Sequence, residues 1–482
     1  MYKQAYLVIF MLMVTTAKAQ RWALSNTGTL YDAFENPSQK TFQPDSSRRF
    51  AFNFLIPTGG FSYAGRGPAE KTIRQLFYLG PLDTRELDNN NLKYNRLFGE
   101  GNLYIGMLRY FKSVQYNREW GLSWQIKSEG DYSVTNQTFS LFYNPTIGDK
   151  TYFNNNLNDF GKGQAYHQLS ISYRENYSRW LAFGAKLSYL SGMVYSNLDI
   201  KNSELAIDKE TETFAAYFKG RYRTNFLAGN LSEKSSIVKL LAPFIYNPGL
   251  AITASFNYRT RRGLYILGNL KDIGFIYWRR TPYNYQIDGS IDVDADDYQT
   301  IDNQVKDYVA RDILKDPTNE KFTSSTNGKA EVLLSKTYGN FQPNFIVSKS
   351  VFNDNGNIVL VNNYNIKSFK ASLITGYDLR KIVEIGGQLM YKRPNVEIYL
   401  GSDRLFKTLM IGKGVSAMQA DLQDRRQDET PSGSGYTGAS AYFGFAMKFG
   451  KILYRWQNES YTPGVANVNL KNFKRKKKWL FF

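Results

Sequence analysis

The chain has 482 residues, 42% of them hydrophobic and 21% charged, with 61 Lys and Arg against 42 Asp and Glu, one His and no Cys. The lack of cysteine excludes a disulfide scaffold, a zinc centre built from Cys and His, and thiol catalysis. Aromatic residues reach 16%, more than a soluble multidomain reading accounts for.

Residues 1–19 read as a secretory signal. Lys3 supplies a positive start, Ala5 to Val14 an apolar run, and Ala17-Lys18-Ala19 the small residues that a signal peptidase reads, so cleavage is expected after Ala19. The run falls short of the roughly 17 to 25 residues of a membrane helix. Losing Lys3 and Lys18 leaves 59 basic residues against 42 acidic ones, a charge of +17. Residues 20–47 follow, polar and without periodicity, and are expected to form an N-terminal plug or hatch.

From there most of the chain alternates with a period of two, which puts side chains on opposite faces of a strand. In Glu119 to Lys127, Trp120, Leu122, Trp124 and Ile126 share one face, with Gln125 and Lys127 on the other. Gln168 to Arg174, Leu181 to Leu190, Leu250 to Arg259 and Ala441 to Phe449 divide in the same way. Segments of about ten residues suit a tilted strand crossing a hydrocarbon core, and the aromatic ends of the oily faces suit interfacial girdles. Weaker candidates such as Arg49 to Ile56, Phe214 to Tyr222 and Val396 to Leu400 bring the expectation to about 14 strands, with 12 to 16 as the range. The fold class is therefore all-β, a transmembrane antiparallel barrel over residues 48–456. Its address is the outer membrane of a Gram-negative bacterium, with both termini on the periplasmic side. The wet faces offer Lys127, Gln168, Arg174, Lys186, Arg259 and Lys448 as lumen-facing candidates.

Several segments depart from this pattern. Gly59 to Gly65 is glycine-rich without a phosphate-loop Lys and reads as a loop after the first strand. His167 reads as a rim histidine pointing away from the lumen; no acid, base and nucleophile set accompanies it, so no enzyme is expected. The insert over 283–320 holds ten acidic residues against three basic ones, a charge of −7, and Ile301, Val305, Tyr308, Val309 and Ile313 predict a short amphipathic helix within it. Asp292 to Asp297 spaces carboxylates as hard cations like, but Asp297 stands where a calcium loop needs Gly, so neither metal nor cofactor is expected. The tail over 457–482 carries Lys474 to Lys478 and ends in Trp479-Leu480-Phe481-Phe482. Behind a signal peptide such a run does not point to nucleic acid; anionic lipid headgroups or a periplasmic partner are its candidate contacts.

Four stretches resemble outer-membrane barrel proteins of Bacteroidota, a family of unknown function distantly similar to FadL-like fatty-acid transporters and to barrels associated with type IX secretion. They are Asp32-Ala33-Phe34-Glu35-Asn36-Pro37-Ser38, Leu270 to Trp278, Tyr285 to Gly289, and Asn395 to Ser402. The first is similar to the Asn-Pro-Ala box of an N-terminal plug, with Ser38 in place of Ala. The resemblance implies a barrel plugged by its own N-terminus, and makes Asn36 and Pro37 the plug motif. Read by itself, Asn-Pro also starts ordinary turns. The terminal Phe482 is similar to the aromatic end that barrel-assembly machinery recognises.

Two function classes remain open. The barrel is either a plugged channel or carrier for small or hydrophobic solutes, or a docking component of a secretion or cell-surface complex. Its expected partners are outer-membrane lipid and lipopolysaccharide, the barrel-assembly machinery, and a secretion-system or periplasmic protein.

Overall fold

The computed structural model describes residues 26–40, 48–70, 93–113, 118–138, 150–208, 213–225, 246–280, 282–294, 317–420 and 435–452. The expected signal peptide, the helix expected around 301–313 and the basic tail lie outside the described residues. In chain order the elements are α1 (Leu30–Glu35), β1 (Arg48–Phe52), β2 (Thr58–Arg66), β3 (Tyr94–Ser113), β4 (Arg118–Thr135), β5 (Lys150–Asn154), β6 (Phe160–Asn176) and β7 (Leu181–Asp208). Then come β8 (Thr213–Thr224), β9 (Pro248–Arg259), β10 (Tyr265–Trp278), β11 (Tyr283–Asp294), β12 (Phe322–Ser325), β13 (Lys329–Ser335) and β14 (Phe341–Ser350). The last are β15 (Gly356–Ile366), β16 (Phe369–Asp378), β17 (Ile382–Arg393), β18 (Val396–Ser402), α2 (Leu405–Ala420) and β19 (Thr437–Ile452).

All of these strands belong to one sheet. Paired strands run antiparallel, and β19 returns to pair with both β1 and β2, which closes the ring. β1 and β2 are one interrupted wall strand, both lying on β3, and β12 and β13 are another, both lying on β10. β5, β8 and β11 stand outside the ring, so the wall has 14 strands.

Burial along the wall is the reverse of a soluble core. On β4, Trp120 and Leu122 are 47% and 53% exposed, while Glu119 and Gln125 are 1% and 0% exposed. The apolar faces look outward and the polar faces inward, as lipid on one side and a polar lumen on the other require. Closing the ring satisfies backbone groups that an open edge would leave bare in hydrocarbon. Among the described residues no helix is long and apolar enough to cross a membrane.

The two ends of the barrel differ. Short turns at 177–180, 260–264, 336–340, 367–368 and 394–395 gather at one end, where Arg48 lies opposite Ile452. Two tight turns, at 351–355 and 379–381, lie at the other end together with long connections and an extension of the wall. The 28-residue β7 runs past the ring there, and its far half carries β5 on one edge and β8, then β11, on the other. One expectation is corrected by this extension. Phe214 to Tyr222 is a strand outside the wall, carried by the far half of β7, and the start of the 283–320 insert adds β11 to its other edge.

Gly59 to Gly65, expected as a loop, is part of wall strand β2. Its glycines serve close packing: Gly59 has φ +153° and a β-carbon there would run into the Asn102 carbonyl of β3. The wall breaks just before it, where Phe54 and Leu55 both adopt left-handed φ near 55°. Asn53 bridges the break, accepting from the Met107 amide at 2.9 Å and donating to the Ile56 and Ile105 carbonyls.

A second irregularity lies between β17 and β19. β18 ends at Ser402, opposite Gly387 and just past the Gly401–Tyr442 pair, although β17 begins at Ile382 and β19 at Thr437. Helix α2, which no sequence periodicity foretold, packs beside this gap; the Ser440 amide donates to Thr408 Oγ1 at 2.9 Å. A helix hydroxyl thus supplies a partner that the missing strand would have given.

Candidate functional site

The lumen is occupied by residues 26–40 of the chain's own N-terminal segment. Thr29 caps α1, accepting from the Asp32 amide at 3.0 Å in a capping box. Asp32 Oδ2 in turn accepts from the Thr27 amide and hydroxyl, at 3.0 and 2.7 Å. These bonds fold a one-turn helix that the interior then holds: Leu30, Tyr31, Ala33, Phe34, Glu35 and Asn36 are each 0% exposed. The helix lays Leu30, Tyr31 and Phe34 against Tyr104, Met107, Met390, Tyr399 and Tyr442 of the wall, with Tyr31 edge-on to Tyr104.

Polar anchors surround this apolar patch. Glu35 forms an ion pair with Lys271 and accepts from Asn102 at 2.7 Å and Tyr104 at 2.6 Å. Asn36, the residue closing α1, presents its Oδ1 to Asn269, which also donates to the Glu35 carbonyl. Past Pro37, the Ser38 amide donates to Ser255 Oγ at 2.7 Å, and the Ser38 carbonyl accepts from Arg174 at 2.7 Å and from Asn257. Gly184 makes room for this stretch, since a β-carbon there would overlap the backbone of Pro37 and Ser38. At the entry end, Lys392 donates to the carbonyls of Thr27 and Gly28, and Glu397 accepts from the Leu30 amide at 2.7 Å.

The wall around this segment carries paired buried charges. Asp272 lies between Lys127 and Lys186, pairing with both, and accepts from Gln168 at 2.9 Å and Thr253 at 3.1 Å. Glu119 lies between Arg109 and Arg174, at 3.1 and 3.4 Å; Arg109 also donates to the Ala33 carbonyl and stacks over the Phe34 ring. Burial would raise the Glu35 carboxyl, but Lys271, Lys127 and Lys186 outweigh it and hold the group at about 2. Asp32, short of such cations, is pushed up by burial against its hydrogen bonds from Thr27 and Thr29.

Of the lumen-facing candidates, Lys127, Gln168, Arg174 and Lys186 meet in these two clusters. Lys448 is buried on the inward side of β19. Arg259 is exposed at the short-turn end of β9, where it borders a cavity rather than the plug. Asn36 and Pro37 lie at the end of α1 against β10 and β7. His167 is corrected from a rim position: it is 1% exposed, mid-strand on β6, and accepts from Trp124 Nε1 at 3.2 Å. In the unbroken β4–β6 register Trp124 lies opposite Leu169, so its indole reaches His167 as a diagonal neighbour.

The residues missed are Lys271 and Asp272. In a regular strand adjacent side chains point to opposite faces, yet both are buried, 1% and 3% exposed. A bulge between Leu270 and Ile273, with Asp272 at φ +50°, turns both inward. Two neighbouring charges inside the run Leu270-Lys271-Asp272-Ile273 were the available signal. Among the described residues no group of three His, Asp or Glu side chains has the arrangement to hold a metal.

Residues 60–403 match a family described as of unknown function (DUF5723). No curated protein matches the chain. Among solved structures, the toluene transporter TodX of P. putida is 8% identical with a TM-score of 0.41, covering 87% of this chain and 94% of its own. The ferric yersiniabactin uptake receptor FyuA of Yersinia pestis is 10% identical with a TM-score of 0.21, covering 76% of this chain and 62% of its own.

Proposed function

We propose that this chain, which belongs to the DUF5723 family of unknown function, is an outer-membrane channel or carrier that its own N-terminal segment closes. One observation carries the reading: residues 26–40 fill the barrel axis without joining its sheet, attached through side-chain hydrogen bonds, the Glu35–Lys271 ion pair and the apolar contact of Leu30, Tyr31 and Phe34. Water can replace polar contacts of this kind, so the segment can leave without breaking the sheet, at the cost of exposing the Leu30, Tyr31 and Phe34 contact. The short-turn end faces the periplasm and the extended end the exterior, following the usual asymmetry of bacterial barrels. A signal peptide cleaved after Ala19 delivers the chain there, and the solutes are small and polar or weakly hydrophobic.

A second reading has its own support. The lumen as it stands is packed with paired charges, and the extension built on β7 offers a raised sheet at the exterior, which suits a docking component of a surface complex. Osmotic swelling of proteoliposomes separates the two. With residues 20–47 deleted, the channel reading predicts swelling in isotonic small sugars and amino acids; silence from a verified folded barrel would leave the docking reading.

A further inference from the structure

The cations around α1 and on its far side pair with carboxylates. Around the plug, Lys271 has Glu35, Lys127 and Lys186 have Asp272, and Arg109 and Arg174 have Glu119. Towards the exterior, Arg404 has Glu384 and Arg380 has Asp378. Beneath the plug, at the short-turn end, a cavity of about 700 Å³ is bordered by Lys40, Arg259, Lys367, Lys370, Lys392 and Arg393 and, among the described residues, by no Asp or Glu. The side chains of Arg259, Lys367 and Lys370 make no hydrogen bond or ion pair among the described residues. Lys392 sits 4.0 Å from Glu397, and Arg393 donates to the Tyr391 hydroxyl at 3.0 Å.

We propose that this vestibule binds a small multivalent organic anion, a polycarboxylate or a phosphate ester. Cations of one sign in a concavity with low-dielectric walls focus a positive potential and draw counter-ions. The volume exceeds that of a simple inorganic ion and lies within the range of small-molecule sites. Tyr265, Phe369 and Pro394 add apolar surface for the ligand's carbon frame. Ammonium and guanidinium donors then supply charge-assisted hydrogen bonds to its oxygens.

The site touches the plug directly. Asn26, Thr27, Gly28 and Gln39, from both ends of the plug segment, border the cavity. Lys392 borders it too while donating to the Thr27 and Gly28 carbonyls. A bound anion competes for that ammonium and loosens the plug at its entry end. As a statement of substrate class this rests on the plugged-channel reading; as a binding site it does not.

The test is isothermal titration of the full-length refolded protein in detergent with citrate, glucose 6-phosphate and, as the neutral control, glucose. Both anions bind and glucose does not. The triple variant Arg259→Gln, Lys367→Gln and Lys370→Gln binds about tenfold more weakly or less, from the loss of three partly exposed cations. Lys219→Gln, which removes a cation paired with Asp288 on the extension, leaves binding unchanged. Heat-modifiable gel mobility confirms that each variant is folded. Absence of anion binding by the wild type, or equal binding by the triple variant, overturns the vestibule whatever the conductance experiments show. Binding by a barrel that stays closed when the plug is deleted would retain the site and overturn the channel reading.

Discussion

Glu35 of the plug helix and Lys271 of wall strand β10 form an ion pair whose side chains are 0% and 1% exposed. It joins a segment that must enter the barrel to a strand that forms it. A buried pair contributes little net stability, but removing one partner strands the other charge at a cost of about 3–5 kcal/mol. Lys271→Met therefore releases the plug while the ring of strands remains. The check is protease cleavage within residues 26–40 of the reconstituted protein, fast in the variant and slow in the wild type. Equal protection in both would remove this pair from the account.

Asp272 does comparable work inside the wall. Without its charge, Lys127 and Lys186 face the same point with nothing between them. Asp272→Asn keeps a side chain that tolerates the left-handed φ of +50°, so the substitution isolates the charge. We expect a loss of about 3–5 kcal/mol in barrel stability, measured as the urea midpoint of heat-modifiable mobility. Asp272→Glu should recover part of it.

Gly184 is where the wall yields to the plug. Gly184→Val puts side-chain atoms where Pro37 and Ser38 pass, so the segment cannot seat, while valine suits the strand itself. A single cysteine introduced as Ser38→Cys, in a chain otherwise free of cysteine, reports the outcome. A membrane-impermeant maleimide should label it slowly in the parent and rapidly with Gly184→Val.

The pH dependence of docking follows from Glu35. Its carboxyl is held at about 2, below its ordinary value of 4.5. A lowered carboxyl contributes stability that is complete above the unfolded value and is lost as pH falls through the folded one. Asp32, shifted upward, has the opposite sign and gains on acidification. The plug should accordingly stay as protected from labelling at pH 5 as at pH 7, and loosen progressively as pH falls from 4.5 towards about 2. Release between pH 7 and pH 5 would show that other groups control docking.

How much of this was legible in the chain depends on the reach of each interaction. The alternation of Trp120, Leu122, Trp124 and Ile126 needs no knowledge of neighbours, because two-faced burial is a property of the single strand. The plug stretch also stood out, since residues 20–47 lack alternation and Asp32 to Ser38 resembles a plug box. Lys271 and Asp272 escaped because a bulge is set by the register with the partner strand β9, which the local alternation does not reveal. The glycines of β2 read as a loop for the same reason: their cause is the Asn102 carbonyl and the Tyr442 side chain, which the local sequence does not contain. Helix α2 depends on the early end of β18, and the strands of the extension depend on the length of β7.

Single-channel conductance in planar bilayers, comparing the intact chain with one lacking residues 20–47, tests the removable plug most directly. We predict a closed intact protein and a stable open pore in the deletion, with a preference for anions set by the cations at the short-turn mouth. Silence from both proteins, with heat-modifiable mobility showing that both are folded, would contradict it.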